Sequence, residues 1–241
     1  MKFKVLTLFP ELINSFKDHS IIKRALENNK LTIDVIDYRE YSSNKHHKVD
    51  DTPYGGGSGM LLSVQPIYDA IKANRSKDSK VILVCPTGKL FNQKIANDLA
   101  QEKELIFICG HYEGYDERIR TYVDEEISIG DYVLTSGEIA SMVMMDSIGR
   151  LVEDVIETSS HQDDSFQNGL LEYPQYTKPR IFDNQEVPEI LLSGHHKNIE
   201  EYRLEQSIIK TAKQRPDLLD NKDLDEKIKI KIAELRKDKI V

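Results

Sequence analysis

Short runs dense in Val, Ile, Leu and Phe alternate, over the first half of the chain, with segments whose apolar positions recur every three or four residues. Residues 3–9, 31–36, 81–85 and 105–109 carry the first pattern and read as strands. Pro10 suits a first helical turn, and Leu12, Ile13, Phe16, Ile21, Ile22 and Leu26 follow at helical spacing until Asn28 and Asn29 break the run. Residues 65–72 and 92–100 read as two further helices, the second set between strands 81–85 and 105–109. Strand, helix, strand in that order implies parallel pairing through a crossover, so the expected fold class is α/β, a parallel sheet with helices on both faces.

The pattern changes beyond the middle of the chain. Residues 159–194 hold turn residues and scattered polar positions with little periodicity, and their length makes them a linker or a functional loop. Residues 199–214 and 224–236 then alternate apolar and charged positions in helical fashion on either side of Arg215-Pro216-Asp217, which predicts a small helical domain. The sequence has no internal repeat and no low-complexity tract.

Composition narrows the class. With 241 residues, 39% hydrophobic and 31% charged, the chain is long enough to bury a core without staples and is neither collagen-like, mucin-like nor disordered. Cys85 and Cys109 each end an apolar run, which fits a reducing compartment. The opening segment is too short and interrupted for a signal peptide, and no run approaches the 18 apolar residues of a membrane span, so a cytoplasmic protein with no membrane partner is expected. The net charge of −8 disfavours a polyanionic partner globally, but residues 195–241 carry 12 Lys and Arg against 10 Asp and Glu. A nucleic-acid surface would have to be a local patch.

Several stretches carry candidate chemistry. The first, residues 50–60, has four glycines in five positions, which leaves open both a plain flexible loop and one that wraps a ligand or nucleic acid. It is no phosphate-binding P-loop, since no Gly-Lys-Ser/Thr follows, and Gly88-Lys89 fails the same spacing. Three further glycine-bearing loops, 86–89, 110–114 and 129–138, would lie at the carboxyl edge of a parallel sheet, where ligands settle. No Gly-x-Gly-x-x-Gly opens them, so a ligand without a diphosphate fits better. His161-Gln162-Asp163-Asp164 reads either as a solvated acidic loop or as the source of a general base. Arg150 is either a helix-end dipole partner or a catalytic cation. His195-His196 lacks a third ligand at metal spacing, so no metal site is expected.

Five ordered motifs resemble those of the bacterial tRNA (guanine-N1)-methyltransferase family of the SPOUT superfamily. They are DDTPYGGGSGM at 50–60, CGHYEGYDER at 109–118, SIGDYVLTSGE at 128–138, DDSFQNGLLEYPQYTKP at 163–179 and VPEILLSGHH at 187–196. The resemblance spans about residues 1–215 and implies a SPOUT-type sheet whose edge loops tie a deep trefoil knot. It implies a methyltransferase domain over residues 1–160, a mobile loop over 161–174 and a tRNA-binding helical domain over 175–241. It further implies methylation of N1 of guanosine 37 in the tRNA anticodon loop by S-adenosylmethionine, in a homodimer whose active site lies at the subunit interface, with no role for DNA.

Carried over position by position, the cofactor residues are Pro86, Thr87, Gly88, Gly110, Tyr112, Glu113, Gly114, Ile129, Gly130, Tyr132, Val133, Leu134, Ser136 and Gly137. Asp164 matches the general base and Arg150 the catalytic arginine, the first removing the N1 proton and the second stabilising negative charge on O6. The residues expected to touch RNA are Gly55, Gly56, Gly57, Ser165, Lys197 and Arg203, with Lys210 and Lys213 beside them. The sequence departs from the family pattern at His111, where Arg is usual, and at Ser136, where Gly is usual. The resemblance admits Mg2+ as an accessory ion, but no dedicated ligand set is present. Two other readings are a related methyltransferase acting elsewhere on RNA, in which Asp164 would be idle, and a dimer that senses cofactor or RNA without turnover.

Overall fold

Strands β1 (Lys2–Thr7) and β2 (Thr32–Asp37) are joined by helices α1 (Pro10–Lys17) and α2 (Ser20–Glu27) in the computed structural model, which describes residues 1–157 and 163–241. A two-stranded hairpin follows, β3 (Asp50–Asp51) with β4 (Leu61–Leu62), and then helix α3 (Val64–Asn74). Strand β5 (Ser79–Leu90), helix α4 (Gln93–Leu99), strand β6 (Glu104–Cys109), strand β7 (Glu125–Ser128) and helix α5 (Gly137–Gly149) complete the first of two units, Met1–Glu157. The five long strands form one parallel sheet in the order β2-β1-β6-β5-β7.

Both faces of this sheet are covered, which is why its central strands read as unbroken apolar runs. Leu105, Phe107 and Cys109 face one core with α1, α2, α4 and α5, while Ile106 and Ile108 face the other with α3. The alternation within β6 is the two-residue period of a strand, hidden in the sequence because both sides are apolar.

Two sequence expectations change. The single helical run after Pro10 is two helices, because the chain turns at Asp18 and His19 and Ser20 adopts a left-handed φ of 51°. Strand β7 is absent from the sequence pattern, since Glu125 and Glu126 leave Ile127 as its one large apolar residue, and pairing with β5 fixes it instead.

The second unit, Thr158–Val241, holds a hairpin of β8 (Ile181–Phe182) and β9 (Gln185–Glu186), a 19-residue helix α6 (His196–Gln214) and helix α7 (Glu226–Lys237). Its core is seven buried apolar side chains, among them Leu170, Ile208, Leu224 and Ile232. Residues 170–171 belong to this unit: Leu171 N donates to Thr211 Oγ1 at 2.9 Å, and Ser207 Oγ donates to Leu171 O at 2.5 Å. The stretch 159–194, which reads from sequence as a linker or a functional loop, therefore supplies both core residues and a hairpin wherever it is described. Of the expected mobile loop 161–174, residues 161 and 162 lie outside the described residues, and with them His161 of the acidic motif.

Candidate active site

A cavity of about 490 Å³ opens at the carboxyl ends of β5, β6 and β7. Each of its three walls is a loop whose path is set by backbone contacts. After Val84, β5 loses its register with β7 and regains it at Lys89, both residues pairing with Ile127, so the intervening Pro86-Thr87-Gly88 bulges outward. Gly88 seats this bulge: a Cβ there would lie 2.4 Å from Ile127 N and 2.5 Å from the Glu126 carbonyl carbon.

The second wall follows β6. The Tyr115 hydroxyl donates to Val84 O at 3.1 Å and Ile108 O at 2.9 Å, which ties the ends of β5 and β6, and burial pushes this phenol well above its ordinary pKa. A Cβ on Gly110 would meet the Tyr115 ring at 2.5 Å. The third wall follows β7 and ends at Gly137, whose N–H donates to Gly110 O at 2.9 Å. There a Cβ would approach Gly110 N to 2.7 Å, so two loops meet backbone to backbone at a point that admits no side chain.

Of the residues expected to bind cofactor, all but Gly88 line this cavity, and Gly88 sits behind it against β7. The cavity also has polar walls that sequence reasoning does not single out. Arg120 bonds Glu117 at 2.9 Å and pairs closely with Glu126, whose Oε2 also accepts from the Cys85 thiol at 3.4 Å. His111 Nε2 lies 2.9 and 2.8 Å from the two carboxylate oxygens of Glu138, which is fully buried and accepts a further bond from Thr7 Oγ1 at 2.5 Å. Burial pushes the Glu138 carboxyl up, but the bonds from His111 and Thr7 outweigh it and hold the group below the ordinary glutamate range. Nothing local in the sequence marks the second cluster, because Glu138 is 27 residues from His111 and 131 from Thr7.

The glycine-rich loop 50–60 borders the second wall. Glu113 N donates to Met60 O at 3.1 Å, and a Cβ on Gly59 would strike the Glu113 side chain at 2.4 Å. Gly55, Gly56 and Gly57 are exposed, all with positive φ, beside a fully exposed Tyr54. Arg150 caps the far end of α5. The cavity touches that helix at Gly137 and Ala140, and thirteen residues at 1.5 Å rise separate its ends by about 20 Å. Arg150 of the same chain is therefore not gathered at the cavity.

In the second unit Asp164 is half-buried, with Oδ2 sealed from solvent, in a turn where Gln167 N donates to Asp164 O at 3.1 Å and Phe166 holds a φ of 74°. Ser165 Oγ accepts from Glu172 N at 3.1 Å. The Arg203 guanidinium lies over the Tyr173 ring at 4.8 Å, and Lys197 is exposed in the first turn of α6. Among the described residues, no cluster of His, Cys, Asp and Glu could hold a metal ion, both cysteines are free, and no helix is long and apolar enough to cross a membrane.

A family model described as tRNA (Guanine-1)-methyltransferase TrmD matches residues 1–221. Proteins named tRNA (guanine-N(1)-)-methyltransferase are similar over nearly their whole length. One from Clostridium botulinum is 55% identical over 231 residues, covering 95% of this chain and 96% of that protein. Another from Staphylococcus haemolyticus is 53% identical over 229 residues, with 94% of each covered, and one from Macrococcus caseolyticus is 51% identical over 241 residues, covering 99% of this chain and 100% of that protein. Motifs, parallel sheet and whole-length similarity agree, and the chain belongs to the tRNA (guanine-1)-methyltransferase family.

Proposed function

We propose that the protein methylates N1 of guanosine 37 in the anticodon loop of tRNA, using S-adenosylmethionine held in the cavity at the ends of β5, β6 and β7. The observation that carries this reading is the convergence of the three loops on one cavity, at which Gly110 and Gly137 admit no Cβ. Its volume is that of a small-molecule site. Ile129, Leu134 and Ala140 offer apolar wall for an adenosyl group, while Glu113 and Glu117 offer negative charge for a sulfonium. S-adenosylmethionine supplies the methyl group as an electrophile.

The chain's own residues prepare the nucleophile. Guanine N1 carries a proton and a delocalised lone pair, so it attacks only as that proton leaves. Asp164 accepts the proton, and the sealing of its Oδ2 from water suits a carboxylate that acts as a base in a dry site. Arg150 stabilises the charge that builds on O6. The target base is flipped out of its stack to reach the pocket, and Lys197, Arg203, Ser165 and the loop at Gly55, Gly56 and Gly57 contact the RNA. The three cavity loops close a trefoil knot.

A two-fold homodimer with a shared active site accounts for the distance between Arg150 and the cavity. Ile139, Val143, Ser147 and Arg150 fall on one stripe of α5, and Ile139 and Val143 are more than 40% exposed. Phe9 and Leu12 of the adjoining α1 region extend the apolar surface. An isologous contact through this stripe, with its axis across the helix, runs the two α5 helices antiparallel. Arg150 of each copy then comes to the cavity end of the other.

Methyl transfer from labelled S-adenosylmethionine to tRNA transcripts with guanosine or adenosine at position 37 tests the reaction, and only the guanosine transcript is expected to be labelled. Asp164→Ala should bind the donor as the unmodified protein does and lose about 100-fold or more of its turnover. Near-normal turnover in that variant removes Asp164 as the base.

A further inference from the structure

His111 begins a turn that the backbone does not favour. Tyr112, the next residue, holds a left-handed φ of 60°, a conformation that costs free energy in any residue with a side chain and persists only where neighbours enforce it. Two backbone bonds help, Gly114 N to His111 O at 3.3 Å and Glu113 N to Met60 O at 3.1 Å. The side-chain anchor is the ring of His111, only 10% exposed, which grips both oxygens of Glu138. Glu138 in turn is fixed by Thr7 Oγ1, and Thr7 Oγ1 accepts from Phe9 N at 2.9 Å. The Phe9 ring packs on the imidazole at 4.8 Å between centroids. These linked groups run from the end of β1 through the first residues of α5 to the cavity wall.

We infer that His111 is a positioning residue for donor binding: its ring, clamped to Glu138, holds the Tyr112 turn against the cavity. A buried carboxylate is costly unless paired, so the bonds from the His111 ring and from Thr7 fix Glu138 and the loop together.

Around the ring, Glu138 comes from α5, Tyr112 from the same loop at 6.4 Å between rings, and Arg39 stands 5.8 Å from the centroid of the Phe9 ring. Tyr38 bonds Cys109 O at 3.3 Å, and burial pushes its phenol and the Cys109 thiol well up. Glu138, held low, is the ionised acceptor that the ring bonds.

The inference rests on the reading that the cavity takes S-adenosylmethionine, and calorimetric binding of that donor to the full-length chain separates the two. His111→Gln is expected to raise the donor Kd roughly tenfold, the scale of one buried hydrogen bond, with the rise in KM for donor exceeding any fall in kcat. His111→Arg, which still donates to Glu138, should restore an affinity close to that of the unmodified protein. Circular dichroism checks that both variants are folded, and Thr7→Val, which removes the second bond to Glu138, provides an independent variant with weakened affinity. An unchanged donor Kd in folded His111→Gln overturns the inference while leaving the cavity reading intact. Failure of the unmodified protein to bind the donor overturns the cavity reading instead.

Discussion

The two units of this chain build recognition from opposite materials. In the first, the cavity is made of backbone: loops held by Gly88, Gly110 and Gly137, where a Cβ would come within 2.7 Å of its neighbours, on a sheet covered on both faces. In the second, a core of seven apolar side chains supports exposed cations such as Lys197 and Arg203. A framework in which backbones meet tolerates no added atom at the meeting points, whatever side chains line the cavity beside them. A surface of long cations weakens in small, independent steps. Substitution should therefore act abruptly in the first unit and gradually in the second.

The largest expected effect lies at the apolar stripe of α5, the face proposed to join two copies of the chain. Val143→Asp puts a charge on the apolar stripe of α5 without touching the cavity. It should give a folded monomer by sedimentation and reduce methyl transfer about 100-fold or more, as expected when a catalytic group no longer reaches the pocket. An active monomer would mean that the site is complete within one chain. Mixing Asp164→Ala with Arg150→Ala subunits sharpens the point, since a shared site regains activity in the mixed dimer only if the two groups serve different pockets.

Next comes the backbone framework. Gly88→Ala forces a methyl against the β7 backbone at a residue that does not line the cavity. Such overpacking costs about 1–3 kcal/mol, so thermal unfolding should shift down by several degrees and donor affinity should fall roughly tenfold. An unchanged Kd would show that the bulge after Val84 does not shape the site.

The smallest effects belong to the second unit. Lys197→Ala and Arg203→Ala should each raise the KM for tRNA a few-fold and leave donor binding unchanged. Each should also make the salt dependence of tRNA affinity shallower by about one in logarithmic slope, the share of a single phosphate. Arg203 also rests on Tyr173, so Tyr173→Leu should reproduce part of that effect if the ring orients the cation. A flattening far beyond the share of one phosphate would mean that the helices rearrange.

Much of this molecule can be read one residue at a time. Strands β5 and β6 announce themselves because a strand buried on both faces must be apolar throughout, β1 and β2 because Phe3, Val5 and Ile33, Val35 recur at every second position, and α3, α4 and the two long C-terminal helices because a half-buried helix must repeat its apolar residues. The glycine-bearing loops are equally visible, since only glycine fits where backbones meet. Motif order then carries the family, and with it thirteen of the residues that line the cavity.

Long-range partnership was decided by the tertiary structure alone. Strand β7 is too polar to be seen until β5 pairs with it, and the turn at Ser20 divides what spacing presents as one helix. His111 is an unusual letter in its motif until folding sets it against Glu138, and Arg150 looks like a neighbour of the cavity until the length of α5 separates them. Periodicity reports which face of an element is dry, a property of the element itself. Which groups meet across 27 or 131 residues depends on sheet order and loop path, and no local pattern encodes either.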